Sequence, residues 1–250
     1  MIDNQDSQKT EYRNRCRIRN CELIVNGKVK YCSDSCNRFP CDRLKQLDKR
    51  YRTKYGMSMM DDEKKTLVED ILDIELRMFL SVSSRGRAIC QEHPEEFRRN
   101  RRAQFSTWSM GTLSSYLNDL MLAEKNGKNL MTLKYGRMEN LIPCINDDPL
   151  INRIVDIQIA WQREMFDQYP KIMGGARTID STDDTAFNTS FATYLRGELE
   201  TYSSNTLQLL YQDMEAYRKE GKNMNQILYA HLVKSYGYPS LESAERNYGK

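Results

Sequence analysis

The stretch Ser106-Thr-Trp-Ser-Met-Gly-Thr-Leu-Ser-Ser-Tyr-Leu-Asn-Asp-Leu, running on to Gly127-Lys128-Asn129, is written twice in this chain. It returns without a gap 94 residues later as Glu200-Thr-Tyr-Ser-Ser-Asn-Thr-Leu-Gln-Leu-Leu-Tyr-Gln-Asp-Met, continuing to Gly221-Lys222-Asn223. Ten positions between Thr107 and Tyr135 are identical to their counterparts at that spacing, among them Ser109, Thr112, Leu113, Asp119, Gly127 and Asn129. Unrelated segments of this size share roughly two residues at ordinary residue usage. Few features restrict a fold more, because both copies must bury the same face against something.

That face is helical. Leu113, Tyr116, Leu117, Leu120 and Ala123 recur at helical spacing, and Leu207, Leu210, Tyr211, Met214 and Tyr217 take the same places in the second copy. Gly127 is suited to end the helix in a left-handed conformation, and Asn129 to cap the next one. Upstream, Leu67, Ile71, Ile74 and Met78 predict a helix to about Ser81, and Ile151, Ile154, Ile157, Ile159 and Trp161 predict its counterpart ending near Tyr169-Pro170. Ile71 to Ile74 matches Ile154 to Ile157 at a spacing of 83, and Met78-Phe79 matches Met165-Phe166 at 87 before the spacing reaches 94, so the insertions are expected in the connecting loop. Helices near 223–236 and 240–247 end the chain. The expected fold is mainly α, with a duplicated helical module of two pseudo-repeats, 61–145 and 146–250, in one domain. A disordered lead-in, 1–12, and a small cysteine-rich, metal-stabilised module, 13–60, come first.

Five of seven cysteines lie in that module: Cys16, Cys21, Cys32, Cys36 and Cys41. Cysteine pairs with three or four residues between them, and the Asn26-Gly27 turn between pairs, are how a short chain wraps a tetrahedral ion. A module this small buries too little apolar surface to fold alone, and thiolate–metal bonds would supply the missing stability. Zinc is the expected ion, an iron–sulfur cluster the alternative, and unliganded thiols the third reading. One of the five cysteines is surplus to a four-coordinate site.

Charge is divided unevenly. Residues 1–60 hold 14 Lys/Arg against 7 Asp/Glu, whereas the remainder holds 24 against 28. A basic module on a mildly acidic body can attract nucleic acid or an acidic partner, although a solvated surface explains the same pattern. No apolar run approaches the roughly 18 residues of a membrane helix. Met1 to Arg15 lacks the apolar core of a secretory signal, so a soluble cytoplasmic protein without membrane association is expected.

The body offers several candidate groups. Cys90, near Arg85, Arg87 and His93, could be an activated thiol, or simply an incidental cysteine. Lys134, Tyr135 and Glu139 could line a polar pocket together with Arg137, or form a surface charge pattern. Arg102 and Arg196 correspond at the 94-residue spacing. They could hold one anion across a pseudo-twofold axis, or each could hold an internal carboxylate such as Glu198. The Arg98–Arg102 cluster circles a helix and reads as solvated surface, with anion binding by some of its arginines as the alternative. Arg87, Arg102, Trp108, Arg177 and Arg196 are the candidate ligand-binding residues; Cys90, Lys134, Tyr135, Glu139 and Glu198 are the candidate catalytic ones. No Ser/His/Asp or Cys/His/Asn framework is legible.

Two resemblances follow from these residues. The run Cys16-x-Ile-Arg-x-Cys21, then Cys32, Cys36 and Phe39-Pro40-Cys41-x-x-Leu44, resembles the C-terminal part of the bacterial domain of unknown function numbered 3795 over about 13–60. That resemblance implies zinc binding. The family's N-terminal cysteine pair is absent here, and Cys32 to Cys36 carries one residue more than its usual spacer. Gly86-Arg87-Ala-x-Cys90-Gln, Arg101-Arg-Ala-Gln-Phe105-x-x-Trp108, Lys134-Tyr135 and Ser190-Phe-x-Thr-Tyr-Leu-Arg196-Gly-Glu-Leu resemble the bacterial domain of unknown function numbered 4125 over about 62–248. That resemblance implies boundaries and no chemistry. The function expected is that of a zinc-binding, regulatory protein whose helical body binds a small anionic ligand or a protein partner. The alternative is an enzyme with a polar site between the two repeats.

Overall fold

Polar side chains decide where the helices begin. Ser109, Asn129, Asp148, Ser190, Ser203, Asn223 and Ser240 each accept a hydrogen bond from a backbone N–H two or three residues further on. Each bond satisfies one of the donors that a helix start leaves without an intrahelical partner. The computed structural model describes residues 14–16, 21–23, 59–82, 89–185 and 188–248. The chain divides into two compact units, Met1–Thr66 and Leu67–Lys250.

In the first unit Asn14–Cys16 (β1) and Cys21–Leu23 (β2) pair antiparallel, with the Cα of Cys16 opposite that of Cys21. Cys32, Cys36 and Cys41 lie outside the described residues.

The second unit is helical. Helix α1 is Met59–Leu80, and its residues from Leu67 on belong to this unit. Then come α2 (Pro94–Ser106), α3 (Met110–Lys125), α4 (Leu130–Met138), α5 (Pro149–Gln168) and the single turn α6 (Pro170–Met173). The remaining helices are α7 (Phe191–Leu199), α8 (Ser204–Lys219), α9 (Met224–Ser235) and α10 (Leu241–Asn247). Among the described residues no helix is long and apolar enough to cross a membrane.

Helices α3 and α8 begin and end 94 residues apart. Both end alike: Gly127 and Gly221 each adopt a φ of 64°, where glycine carries no steric penalty. Beyond them the N–H of Lys128 reaches the carbonyl of Ala123, and that of Lys222 the carbonyl of Tyr217. The two helices pack on each other through an exchange of carboxylates. Asp213 accepts the N–H of Ser109 at 2.8 Å and the hydroxyl of Thr112 at 2.6 Å. Asp119 accepts the N–H of Ser203 at 3.1 Å and the hydroxyl of Thr206 at 2.6 Å. Each helix thus supplies the negative charge that its partner's N-terminus favours.

Pairing also crosses over: α4 packs on α7, and α9 on α2. The first crossing is close. A Cβ on Gly197 of α7 would lie 3.0 Å from the carbonyl oxygen of Lys134 in α4. The core stripe is buried as the spacing required, with Leu113, Tyr116, Leu120, Leu207 and Met214 all essentially inaccessible.

Hydrogen bonds correct the match proposed for the first helix of each half. The side-chain amide of Asn129 donates to the carbonyl of Met78 and to Ser81 Oγ. That of Asn223 donates to the carbonyl of Trp161 and to Glu164 Oε2. Met78 on α1 is thus bonded as Trp161 is on α5, 83 residues further on, and Met165 is not. The change to 94 falls in the connection between α5 and α7, where a chain tolerates insertions. Helix α4 stops at Met138, and Asn140 just beyond it takes a φ of 56°.

Candidate functional site: a buried ion network and the cavity beside it

Two charged residues lie on helix faces that are otherwise apolar. Glu75 shares the buried face of α1 with Ile71, Leu72, Met78 and Phe79. Arg101 lies one turn from both Phe97 and Phe105 in α2. Neither charge can be buried alone without a cost of several kcal/mol, so each requires a partner. They find one another. Arg101 donates through Nε to Glu75 Oε2 at 2.8 Å and through Nη2 to Oε1 at 2.5 Å, a bidentate pair.

The same guanidinium reaches across to the second half. Its Nη1 donates to Glu198 Oε1 of α7 at 2.8 Å. Lys134 of α4 donates to the other oxygen of Glu198 at 2.6 Å. Tyrosines fill the remaining acceptor positions: Tyr116 donates to Glu75 and Tyr202 to Glu198, each at 2.6 Å. Gln104 bridges, accepting from Arg101 at 2.7 Å and donating to Glu198 at 3.2 Å. Lys134 also donates to the hydroxyl of Tyr194 at 2.6 Å. Two carboxylates face two cations, so the network is neutral, and all four side chains are about 95% buried or more.

The electrostatics follow from that balance. Burial alone would raise the pKa of Glu198, but Arg101 and Lys134 outweigh it and hold the carboxyl well below its usual range. Burial would discharge Lys134, yet Glu198 outweighs it and drives the ammonium pKa up. For Arg101, too, burial is overcome by Glu198 and Glu75, and its pKa rises. Burial and the neighbouring carboxylates push the Tyr116 and Tyr202 phenols up. All these groups keep one protonation state across the neutral range.

Beside the network lies a small cavity of about 90 Å³. Trp108, Ile154, Glu198, Leu199, Tyr202 and Leu210 form its deep wall; Gln104, Gln158, Tyr194, Leu195 and Leu228 are half-buried around it. A wider hollow of about 700 Å³ opens on the surface between Arg137–Leu141 and the residues Asp184, Thr185, Thr189 and Thr193.

The expected site residues distribute as follows. Lys134 and Glu198 meet directly, and Trp108 lines the cavity next to Glu198. Tyr135 is half-buried against Phe79, with ring centroids 6.2 Å apart, and Glu139 is exposed in the outer hollow. Lys134 and Glu139 therefore face different places. Arg102 is held by Glu69 through two hydrogen bonds, and Arg196 by the amide of Asn152 at 2.8 Å. Both are exposed, each bound to the first helix of its own half. Arg177 donates to the carbonyl of Thr189 at 2.8 Å, with its guanidinium carbon 4.9 Å from the centre of the Tyr194 ring. Cys90 lies in the 3-10 turn Ile89–Glu92. Its side chain and Arg87 lie outside the described residues. Among the described residues no group of three or more His, Cys, Asp or Glu is placed to hold a metal ion.

Sequence reasoning overlooked Glu75, Arg101, Gln104, Tyr116 and Tyr202, and it read the arginine cluster as solvated where Arg101 is buried. Opposite charges at core positions of two helical faces were the available signal. Arg98, Arg99 and Arg102 do reach the surface, paired with Asp73 and Glu69, with Glu96, and with Glu69 respectively.

No curated protein and no solved structure matches the chain. The family model described as "Protein of unknown function (DUF4125)" matches residues 65–246, a span that includes every member of the ion network and the wall of the cavity. The chain belongs to that family.

Proposed function

We propose that this is a zinc-stabilised binding protein with a regulatory role. A cysteine module holding the metal precedes a duplicated helical body that binds a small ligand or a protein partner. One observation carries the preference for binding over catalysis: Lys134 and Glu198 satisfy each other inside a neutral network in which every carboxylate oxygen accepts a hydrogen bond. A general acid or base works best with a pKa near the working pH. These two groups are displaced away from it in opposite directions.

The zinc reading rests on the spacing of Cys16, Cys21, Cys32, Cys36 and Cys41, on the resemblance of 13–60 to the family numbered 3795, and on the register that sets Cys16 opposite Cys21. Thiolates suit zinc, with an iron–sulfur cluster as the competing occupant. The duplication is supported by the matched ends of α3 and α8 and by the reciprocal bonds of Asp119 and Asp213. For the ligand, Arg102 is already committed to Glu69. An anion would have to be met at the surface by Arg177 and Arg196, whose hydrogen bonds go to the carbonyl of Thr189 and the amide oxygen of Asn152.

Two measurements test this reading. The side-chain carboxyl carbon of Glu198, followed by NMR from pH 5 to 9, should not titrate. A midpoint inside that window would restore the enzyme reading. Elemental analysis of the purified full chain should find one zinc per molecule, and a metal-free protein with reduced, fully reactive cysteines would remove the zinc module.

A further inference from the structure

The two halves are filled differently at matching positions. The first half places Glu75, Arg101, Tyr116 and Lys134 where the second, at spacings of 83 and 94, places Gln158, Leu195, Leu210 and Leu228. The first four are the ion network. The other four line the cavity of about 90 Å³. In three of these pairs a leucine replaces a longer side chain, and the space an arginine, a tyrosine and a lysine occupy in one half is left open in the other. Interiors are otherwise close-packed, so a cavity with this origin is a feature of the side chains chosen.

We infer that this cavity is a binding site for a small neutral molecule, with a branched-alkyl or comparably compact apolar part and one oxygen acceptor. The inference rests on the binding role proposed above and names the ligand class. Size comes first. A volume of about 90 Å³ is about three-fifths that of the roughly 150 Å³ engineered cavity that takes benzene, which leaves room for about four non-hydrogen atoms. Shape and polarity follow from the wall: Ile154, Leu195, Leu199, Leu210 and Leu228 are apolar and branched.

Donors for the oxygen are at hand. The Tyr194 hydroxyl accepts from Lys134, and among the described residues its own proton has no hydrogen-bond acceptor. Among the described residues the side-chain amide of Gln158 donates only to the sulfur of Met224, at 3.8 Å, a weak acceptor. Charge is excluded by the network. Glu198 lines the cavity but is neutralised by Arg101 and Lys134, so neither an anion nor a cation entering here gains a counter-ion for the hydration it loses.

The test uses the full chain and three branched probes of four non-hydrogen atoms each: isopropanol, acetate and isopropylammonium. Protein-observed NMR titration should show saturable, one-site binding of isopropanol, with shifts at Leu195, Leu199 and Leu228, and at least tenfold weaker binding of both ions. Leu210→Phe and Leu228→Phe fill the cavity from its deep wall and its edge. Whichever of them keeps a native spectrum should abolish binding. Preference for either ion would overturn the ligand class. Binding that survives both fillings, or no binding of any probe, would overturn the site. The pH behaviour of Glu198 is independent of all these outcomes, so a failure here is distinguishable from failure of the binding role itself.

Discussion

Replacing Lys134 with leucine removes one cation from the neutral network while leaving two buried carboxylates. Glu198 then shares Arg101 with Glu75, and its Oε2, formerly 2.6 Å from the Lys134 ammonium, loses that partner. Removing one partner of a buried pair costs about 3–5 kcal/mol, chiefly because the remaining charge stays desolvated. For a unit of this size that corresponds to a fall in Tm of about 6–20 °C. The double variant Lys134→Leu/Glu198→Gln removes both charges and reproduces the pair Leu228 and Gln104 found at the corresponding positions. It should recover most of the loss.

The pH dependence has a definite sign. In the parent, Glu198 has a depressed native pKa, so its contribution is present above the unfolded value of about 4.3 and disappears only as pH falls through the lower native value. In the single variant one of the depressing charges is gone, and Glu198 protonates earlier on acidification. The stability gap between parent and variant should therefore narrow as pH is lowered from 7 towards 4. Urea unfolding of the three proteins at several pH values measures all of this. A single variant within about 1 kcal/mol of the parent would be what an exposed pair gives, and it would refute the burial argument. So would a double variant no more stable than the single.

Three other outcomes are expected. Asp119→Ala and Asp213→Ala should each cost about 1 kcal/mol of cap stability, seen as similar drops in urea midpoint; one silent member of the pair would break the equivalence of the two helices. Gly197→Ala forces a Cβ to 3.0 Å from the Lys134 carbonyl and should cost about 1–3 kcal/mol, whereas Gly111→Ala, whose Cβ meets nothing closer than 3.7 Å, should be neutral or stabilising. Glu200 accepts Arg137 through both its oxygens and the N–H of Ile145, so Glu200→Ala should speed amide exchange at 142–146 about tenfold, while unchanged exchange would show that the segment is held otherwise.

Much of the helical architecture was legible because it is local. Apolar spacing marks a helix face wherever it occurs, and Ser109, Asn129, Ser203 and Asn223 start helices through bonds to residues two or three positions away. The repeated Gly127 and Gly221 end them for an equally local reason, the conformational freedom of glycine. The same locality misled the match of Met78 with Met165, since similar residues recur within any apolar helix. Only the long-range bonds of Asn129 and Asn223 set the register.

The candidate site was hardly legible, for a related reason. Lys134 and Glu198 were singled out, but nothing in their neighbourhoods says that they meet 64 residues apart, or that Arg101 joins them to Glu75. Four arginines crowded into 98–102 look alike along the chain. Their fates separate only when α2 is set against α1 and α7, which buries Arg101 and leaves its neighbours paired at the surface. Whether a charge is solvated, paired or enclosed depends on which distant face covers it. The sequence by itself determined which segments are helices and where their apolar faces lie. The tertiary structure alone decided which buried charges cancel, and where three leucines leave room beside them.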